Sequence, residues 1–208
     1  MADAIGIAVV GTGDWGANLV RNFARVPGAR LAAVVDSDPR RLAVTDDLTQ
    51  VYNYRFLKSA LRREIKRAGR FGQELSLIML DVDNLKTYND HNGHLRGSFL
   101  LKEIAGLLAE QVRTFDLVAK YGGDEFTLIL PQTAREGACV VAERMRAAVE
   151  QHAFPLAPLG SITISLGVAV YPDDATDAMG LIRTADLALY QAKRQGRNRV
   201  ESIEVRAA

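Results

Sequence analysis

The 208-residue chain has one cysteine, three histidines and almost no net charge, +1 from 26 basic and 25 acidic residues. Each scarcity removes a class of function. A lone Cys139 cannot form an internal disulfide. It sits in an apolar helical stretch with no histidine near it in sequence, the setting of a buried spectator thiol rather than a nucleophile. Balanced charge provides no electrostatic basis for general nucleic-acid binding. No apolar run approaches the ~18 residues of a membrane span, and the first residues lack the basic-then-apolar pattern of a secretory signal. Internal repeats and low-complexity segments are missing as well. The length suits one domain with an appendage. Together these properties point to a soluble enzyme, with the cytoplasm as its expected compartment.

What the chain does contain is concentrated at residues 121–126, Tyr-Gly-Gly-Asp-Glu-Phe. Short β-prone segments, Leu117 to Tyr121 and Phe126 to Leu130, flank two glycines and two acids. The pattern predicts a hairpin with acids at its tip, the Gly-Gly pair supplying the positive φ angles of a two-residue turn. Carboxylates gathered on such a turn suit a hard cation such as Mg²⁺. Taken alone, the hexapeptide also fits a solvated turn with incidental acids.

Further blocks accompany it in order. They are Asp46-Asp47-Leu48-Thr49 with Asn53 and Arg55, then Asp81-Val82-Asp83-Asn84-Leu85-Lys86 with Asn89-Asp90 and Gly93-His94. Arg113-Thr114-Phe115-Asp116 precedes the hexapeptide. Thr163 to Val168, Ala185-Asp186 through Lys193, and Gly196-Arg197-Asn198 follow it. This series, from about Asp46 to Val200, resembles the GGDEF family, the diguanylate cyclases that join two GTP molecules into cyclic di-GMP. The resemblance implies a palm-like α/β (α+β) domain over residues 45–205, a central, mainly antiparallel sheet flanked by helices.

It also implies site roles. Asp81, Asp124, Glu125 and the Val82 carbonyl would hold Mg²⁺, with Mn²⁺ as a second cation for the same ligands. Asp124 is the candidate base for the ribose hydroxyl, and Lys86 would offset charge developing on the phosphates. The loop at Asn84 and Leu85 would offer backbone N–H groups to phosphate. Lys193 and Arg197 would contact phosphates, although basic residues at a helix C-terminus also simply complement its dipole. Asn89 would meet a base edge or sugar, and His94 would pack near the nucleotide. Asp83 and Asp90 read as structural acids that orient loops. Arg113 and Asp116 would bind cyclic di-GMP at a feedback site, against the plainer alternative of a surface ion pair. Each domain holds one nucleotide, so catalysis implies a homodimer.

The chain departs from the family pattern at several positions. Lys120 replaces an Arg, which keeps charge and loses bidentate geometry. Leu85 replaces a common Phe. Ser98 stands where an Asp normally accepts from guanine N1–H and the exocyclic amine. A carboxylate there repels adenine N1, whereas a hydroxyl tolerates both bases. In this the chain resembles the hybrid promiscuous branch, which makes cyclic AMP–GMP from GTP and ATP alongside cyclic di-GMP. Alternatively, Ser98 caps a nearby helix and other contacts preserve guanine selection.

Residues 1–44 differ in character. Ile5 to Val10 is an apolar run, Gly11-Thr12-Gly13-Asp14-Trp15-Gly16 follows, then a helical pattern through Phe23 and a second run, Leu31 to Val35, ending at Asp36. This is the opening βαβ of a dinucleotide-binding fold, resembling the N-terminus of glucose-fructose oxidoreductase-like proteins. The second half of that fold is missing, so a partial Rossmann unit serving assembly, without bound nicotinamide, is expected. Elsewhere the periodicity predicts helices over Tyr52–Ala68, Gly97–Val112, Ala134–Gln151 and Met179–Arg194, and strands over Leu75–Leu80 and Ser161–Val170. Two rival functions remain: a non-catalytic module that only binds cyclic di-GMP, and an oxidoreductase built on the glycine-rich segment.

Overall fold

The computed structural model describes residues 5–10, 29–35 and 44–203. The chain divides into two compact units, Met1–Val44 and Thr45–Ala208. In the first, β1 (Ile5–Val10) and β2 (Ala29–Val35) pair in parallel, with a register shift between Ile7 and Ala8. The glycine-rich turn, the helix expected through Phe23, and Asp36 lie outside the described residues.

The second unit is built on a five-stranded sheet in the order β4-β5-β3-β6-β7. At its centre, β3 (Leu75–Asp83) runs antiparallel to β5 (Glu125–Pro131) and to β6 (Thr163–Tyr171). All nine residues of β3 are buried, which explains its nearly unbroken apolar sequence. The short β4 (Leu117–Lys120) pairs antiparallel with β5, and β7 (Val200–Ser202) pairs in parallel with β6. The helices are α1 (Tyr54–Phe71), α2 (Leu85–Asn92), α3 (His94–Glu110), α4 (Arg135–Glu150) and α5 (Ala178–Arg194). Among the described residues no helix is long and apolar enough to cross a membrane.

Local sequence explains the helix ends. The Asn53 side chain accepts from the Phe56 N–H to start α1, and Gly72, left-handed at φ 61°, closes it. Asp177 accepts from the N–H groups of Met179 and Gly180 to start α5. Gly167 lets α5 lie directly on β6. A Cβ there would fall on the Ala185 carbonyl and the Leu189 amide, which are backbone and cannot move aside.

Three details differ from the sequence expectation. β3 extends to Asp83, so Asp81 is a paired strand residue, opposite Glu125 on one side and Ser165 on the other. The helix expected from Gly97 begins at His94, because Gly93, at φ 83°, separates it from α2. The hairpin tip is also not a two-residue Gly-Gly turn. Lys120 pairs with Phe126, and the Tyr121 and Gly122 N–H groups both donate to the Glu125 carbonyl, so the chain turns over Gly122 to Asp124. Neither Gly122 nor Gly123 has a positive φ. A side chain at Gly122 would crowd the Glu125 carboxylate, so these glycines keep the tip bare rather than bend it.

Candidate active site

The edge of the sheet at the hairpin tip gathers the acids. Register places Asp81 of β3 beside Glu125 of β5, and the Val82 N–H donates to the Asp124 carbonyl at 3.3 Å. Asp81 is 9% exposed, and its carboxylate meets the Lys193 ammonium from the last turn of α5 at 2.9 Å. Burial is the main reason its carboxyl is pushed up to about 6; Lys193 opposes this, and Asp124 and Glu125 reinforce it. One buried acid is therefore crowded by two others and held by a cation.

No group of three His, Cys, Asp or Glu among the described residues forms a ready-made metal cage. The donor set nevertheless fits Mg²⁺, which takes hard oxygens and commonly uses one or two carboxylates, completing its shell with water and substrate phosphates. Asp81, Asp124, Glu125 and the Val82 carbonyl are the residues that would supply those oxygens.

Around this centre the residues expected to meet phosphate divide into two groups. Lys86 lies exposed in the first turn of α2. Asn84 takes a left-handed conformation (φ 62°) at the start of that helix, and its side chain donates to the Ser161 carbonyl at 3.2 Å. Leu85 belongs to the hydrophobic core, so what it can present to a ligand is backbone. On the other side, Arg197 and Asn198 are both left-handed, at φ 63° and 48°. They are clamped by Asp83, which is 2% exposed. Asp83 accepts from Thr163 Oγ1 and Ser165 Oγ at 2.8 Å and from the Asn198 N–H at 3.1 Å, with Arg197 Nε at 4.0 Å.

A second set of hydrogen bonds holds the same loop from α4. Arg146 donates to Asn198 Oδ1, and Asn198 Nδ2 donates to Glu150, each at 2.7 Å. Glu143 and Glu150 pair with Arg146 and hold its guanidinium above its usual range. Motif reading missed this clamp. Its sequence signal was the Glu143, Arg146, Glu150 spacing, which places three charges on one helical face.

Between α2 and α3 lies the candidate base site. Asn89 Oδ1 is buried without a hydrogen-bond partner and packs so tightly against Gly97 that a Cβ there would overlap it. Buried acceptors are seldom left unpaired, and Asn89 stands out for it. Ser98 is one residue on, inside α3 rather than capping it, and its hydroxyl donates to the His94 carbonyl at 3.1 Å. With its proton so used, the hydroxyl oxygen is left as an acceptor. His94 is exposed at the start of α3.

Arg113 and Asp116 form a turn between α3 and β4, the Asp116 carboxylate accepting the Arg113 N–H at 2.8 Å. Leu117 pairs with Ile129 and Lys120 with Phe126, so Asp116 lies at the end of β4 remote from the acidic tip. The Lys120 ammonium is buried, has no hydrogen-bond partner and stands 4.5 Å over the Phe126 ring. Burial lowers its pKa, against the pull of Asp46 and Asp124. The Cys139 thiol is pushed up, mainly by burial, as befits a packing residue.

Known proteins are similar to this chain over most of its second unit. The family model for the diguanylate cyclase GGDEF domain matches residues 43–199. The diguanylate cyclase DgcP of Pseudomonas aeruginosa is 42% identical over 167 residues, 79% of this chain and 24% of that protein. Response regulator PleD of Caulobacter vibrioides is 40% identical over 162 residues, 76% of this chain and 36% of its own length. The chain thus spans well under half the length of these curated relatives. Among solved structures, the GGDEF domain of DgcB from Caulobacter crescentus, in complex with c-di-GMP, matches with a TM-score of 0.70 at 32% identity, covering 81% of this chain and 98% of that domain. With the acids, the basic helix end and strands β3 to β6 inside the matched span, the chain belongs to the GGDEF-domain family of diguanylate cyclases.

Proposed function

We propose that this protein is a Mg²⁺-dependent cyclic dinucleotide synthase that works as a homodimer, each domain presenting one nucleotide to the other. The observation that carries this reading is the meeting of Asp81, Val82 and Asp124 at one sheet edge with Lys193 against them. When bound, the cation would neutralise phosphate charge and favour the hydroxylate of the attacking ribose. The protein's own part is positional. The backbone at Leu85 and the Lys86 ammonium receive phosphate at the start of α2, while Lys193 and Arg197 approach from the C-terminal end of α5. Asp124, on the bare hairpin tip, takes the proton of the 3′-hydroxyl in this reading. Bond formation then joins that oxygen to the α-phosphorus of the partner's nucleotide, and pyrophosphate leaves.

For base choice, the proposal is that GTP is used alone and also together with ATP, producing 3′,3′-cyclic AMP–GMP beside cyclic di-GMP. Support comes from Ser98, whose neutral oxygen can accept from the adenine exocyclic amine without setting the charge of a carboxylate against N1. A charged hydrogen-bond partner contributes about 1.5–3 kcal/mol, so its loss relaxes selectivity by roughly ten- to a hundredfold. Arg113 and Asp116 are proposed to bind cyclic di-GMP as a feedback inhibitor, at the far end of β4.

The test is incubation of purified protein with Mg²⁺ and equal GTP and ATP, with products identified by mass. Mixed cyclic products are expected, Ser98→Asp should shift them to cyclic di-GMP, and Asp124→Asn should abolish turnover while nucleotide still binds. Exclusive cyclic di-GMP from the parent would refute the base-choice reading. Near-normal turnover by Asp124→Asn would refute the mechanism.

A further inference from the structure

A cavity of about 420 Å³ opens between α2 and the connection from α4 to β6. Its α2 wall is made by Thr87, Tyr88, His91 and Asn92. At 100° per residue these lie on the face opposite Lys86 and Asn89, so the cavity and the nucleotide site use opposite faces of one helix and meet at Asn84, which also lines the cavity. The volume falls within the few hundred Å³ typical of small-molecule sites.

The walls define the occupant. No lining residue carries a permanent charge, so an ion entering would lose hydration without compensation. The Tyr88 ring, Pro158 and Ile162 contribute apolar surface suited to a flat body. Leu156, at the rim, is held in a left-handed conformation (φ 60°) that leaves its apolar side chain 63% exposed. Such backbone strain concentrates at ligand clamps.

The polar groups offer several acceptors. His91 Nδ1 meets the Thr87 carbonyl at 2.7 Å; a carbonyl only accepts, so Nδ1 carries the proton and Nε2 of the neutral ring is an acceptor. Asn92 Nδ2 donates to the Tyr88 carbonyl, Asn84 Nδ2 to the Ser161 carbonyl and Ser161 Oγ to the Pro158 carbonyl, leaving the oxygens of all three side chains available to accept.

We propose that this cavity binds a small, uncharged aromatic or heteroaromatic molecule bearing an N–H or O–H group, and that its occupancy tightens nucleotide binding through α2. Asn84 is the physical link: its side chain closes on Ser161 beside the cavity, and its backbone begins the helix that presents Lys86. A ligand that fixes this wall spares the nucleotide part of the ordering cost of α2. The binding claim is independent of the reaction. The coupling claim rests on the cyclase reading above.

Indole is the probe, flat and uncharged with one N–H, and benzoate is the anionic control. Without nucleotide, the full chain should bind indole saturably by calorimetry, with intermolecular NOEs to the Leu156 and Ile162 methyls, and should not bind benzoate. Ala157→Trp, which fills the cavity, should abolish indole binding while keeping the parent's circular dichroism. If that variant does not fold, the NOEs in the parent decide. No saturable indole binding, NOEs elsewhere, or binding retained by folded Ala157→Trp would each overturn the site. With indole saturating, nucleotide KM should fall about fivefold at unchanged maximal turnover; an unchanged KM would overturn the coupling. A parent without turnover on any nucleotide would overturn the cyclase reading and the coupling with it, while the binding measurement still decides the site.

Discussion

Asp83→Ala should weaken both the fold and the grip on nucleotide. The carboxylate is buried under three partners: the Thr163 hydroxyl, the Ser165 hydroxyl and the Asn198 N–H. A hydrogen bond to a charged group contributes about 1.5–3 kcal/mol, so simple addition would exceed 4 kcal/mol. Two effects reduce that figure. Removing the acid also removes the cost of burying its charge, and the two hydroxyls can rotate to other acceptors. The Asn198 N–H cannot rotate, because its direction is set by the backbone. The expected loss is about 2–4 kcal/mol in urea unfolding. Functionally, Arg197 and Asn198 occupy left-handed conformations that the clamp holds in place. Releasing them should raise nucleotide KM roughly tenfold, equivalent to removing one charge-assisted hydrogen bond to phosphate at about 1.4 kcal/mol per decade. Asp83→Asn keeps the shape and should fall between the parent and Asp83→Ala in both measurements. A stability loss below about 1 kcal/mol together with an unchanged KM would refute the reasoning, since an acid this buried cannot be a spectator.

Gly167→Ala places a methyl against the backbone of α5, and should destabilise by about 3 kcal/mol or more in the same unfolding assay; a near-neutral result would mean the helix can lift off β6. Without metal, the Asp81 carboxyl, up at about 6 from an ordinary 3.8, binds its proton more tightly folded than unfolded. Its contribution to stability is therefore complete below pH ~4 and lost as pH rises from about 4 to 6, a change on the order of 3 kcal/mol. Asp81→Asn should remove that slope, and parallel urea midpoints for parent and variant between pH 4.5 and 7 would contradict it. Arg113→Ala should leave the initial rate near the parent's and let product accumulate further; equal sensitivity of the two proteins to added cyclic di-GMP would rule out the feedback site.

Much of this architecture could be read from local pattern. Helical periodicity and the mostly apolar run of β3 depend on neighbouring residues, so the elements read from them emerged within a few positions of their observed ends. The ordered acids and basic residues identified the family because each lies in a short contiguous motif. The hairpin turn was misjudged because Gly-Gly permits positive φ without requiring it, and the pairing of Lys120 with Phe126 decides the loop length instead.

What the chain determined by itself was which residues are chemically able to bind metal, phosphate and base, and which segments become strands and helices. What tertiary structure alone decided was their company. Asp83 is a loop-orienting acid in any reading, but only the pairing of β3 with β6 brings it Thr163 and Ser165, and only the return of the chain after α5 brings it Asn198, 115 residues away. The Arg146 clamp, the unpartnered oxygen of Asn89 and the cavity behind α2 have the same origin. Backbone propensity acts over a few residues, whereas hydrogen-bond satisfaction and packing act between groups that only the folded chain makes neighbours.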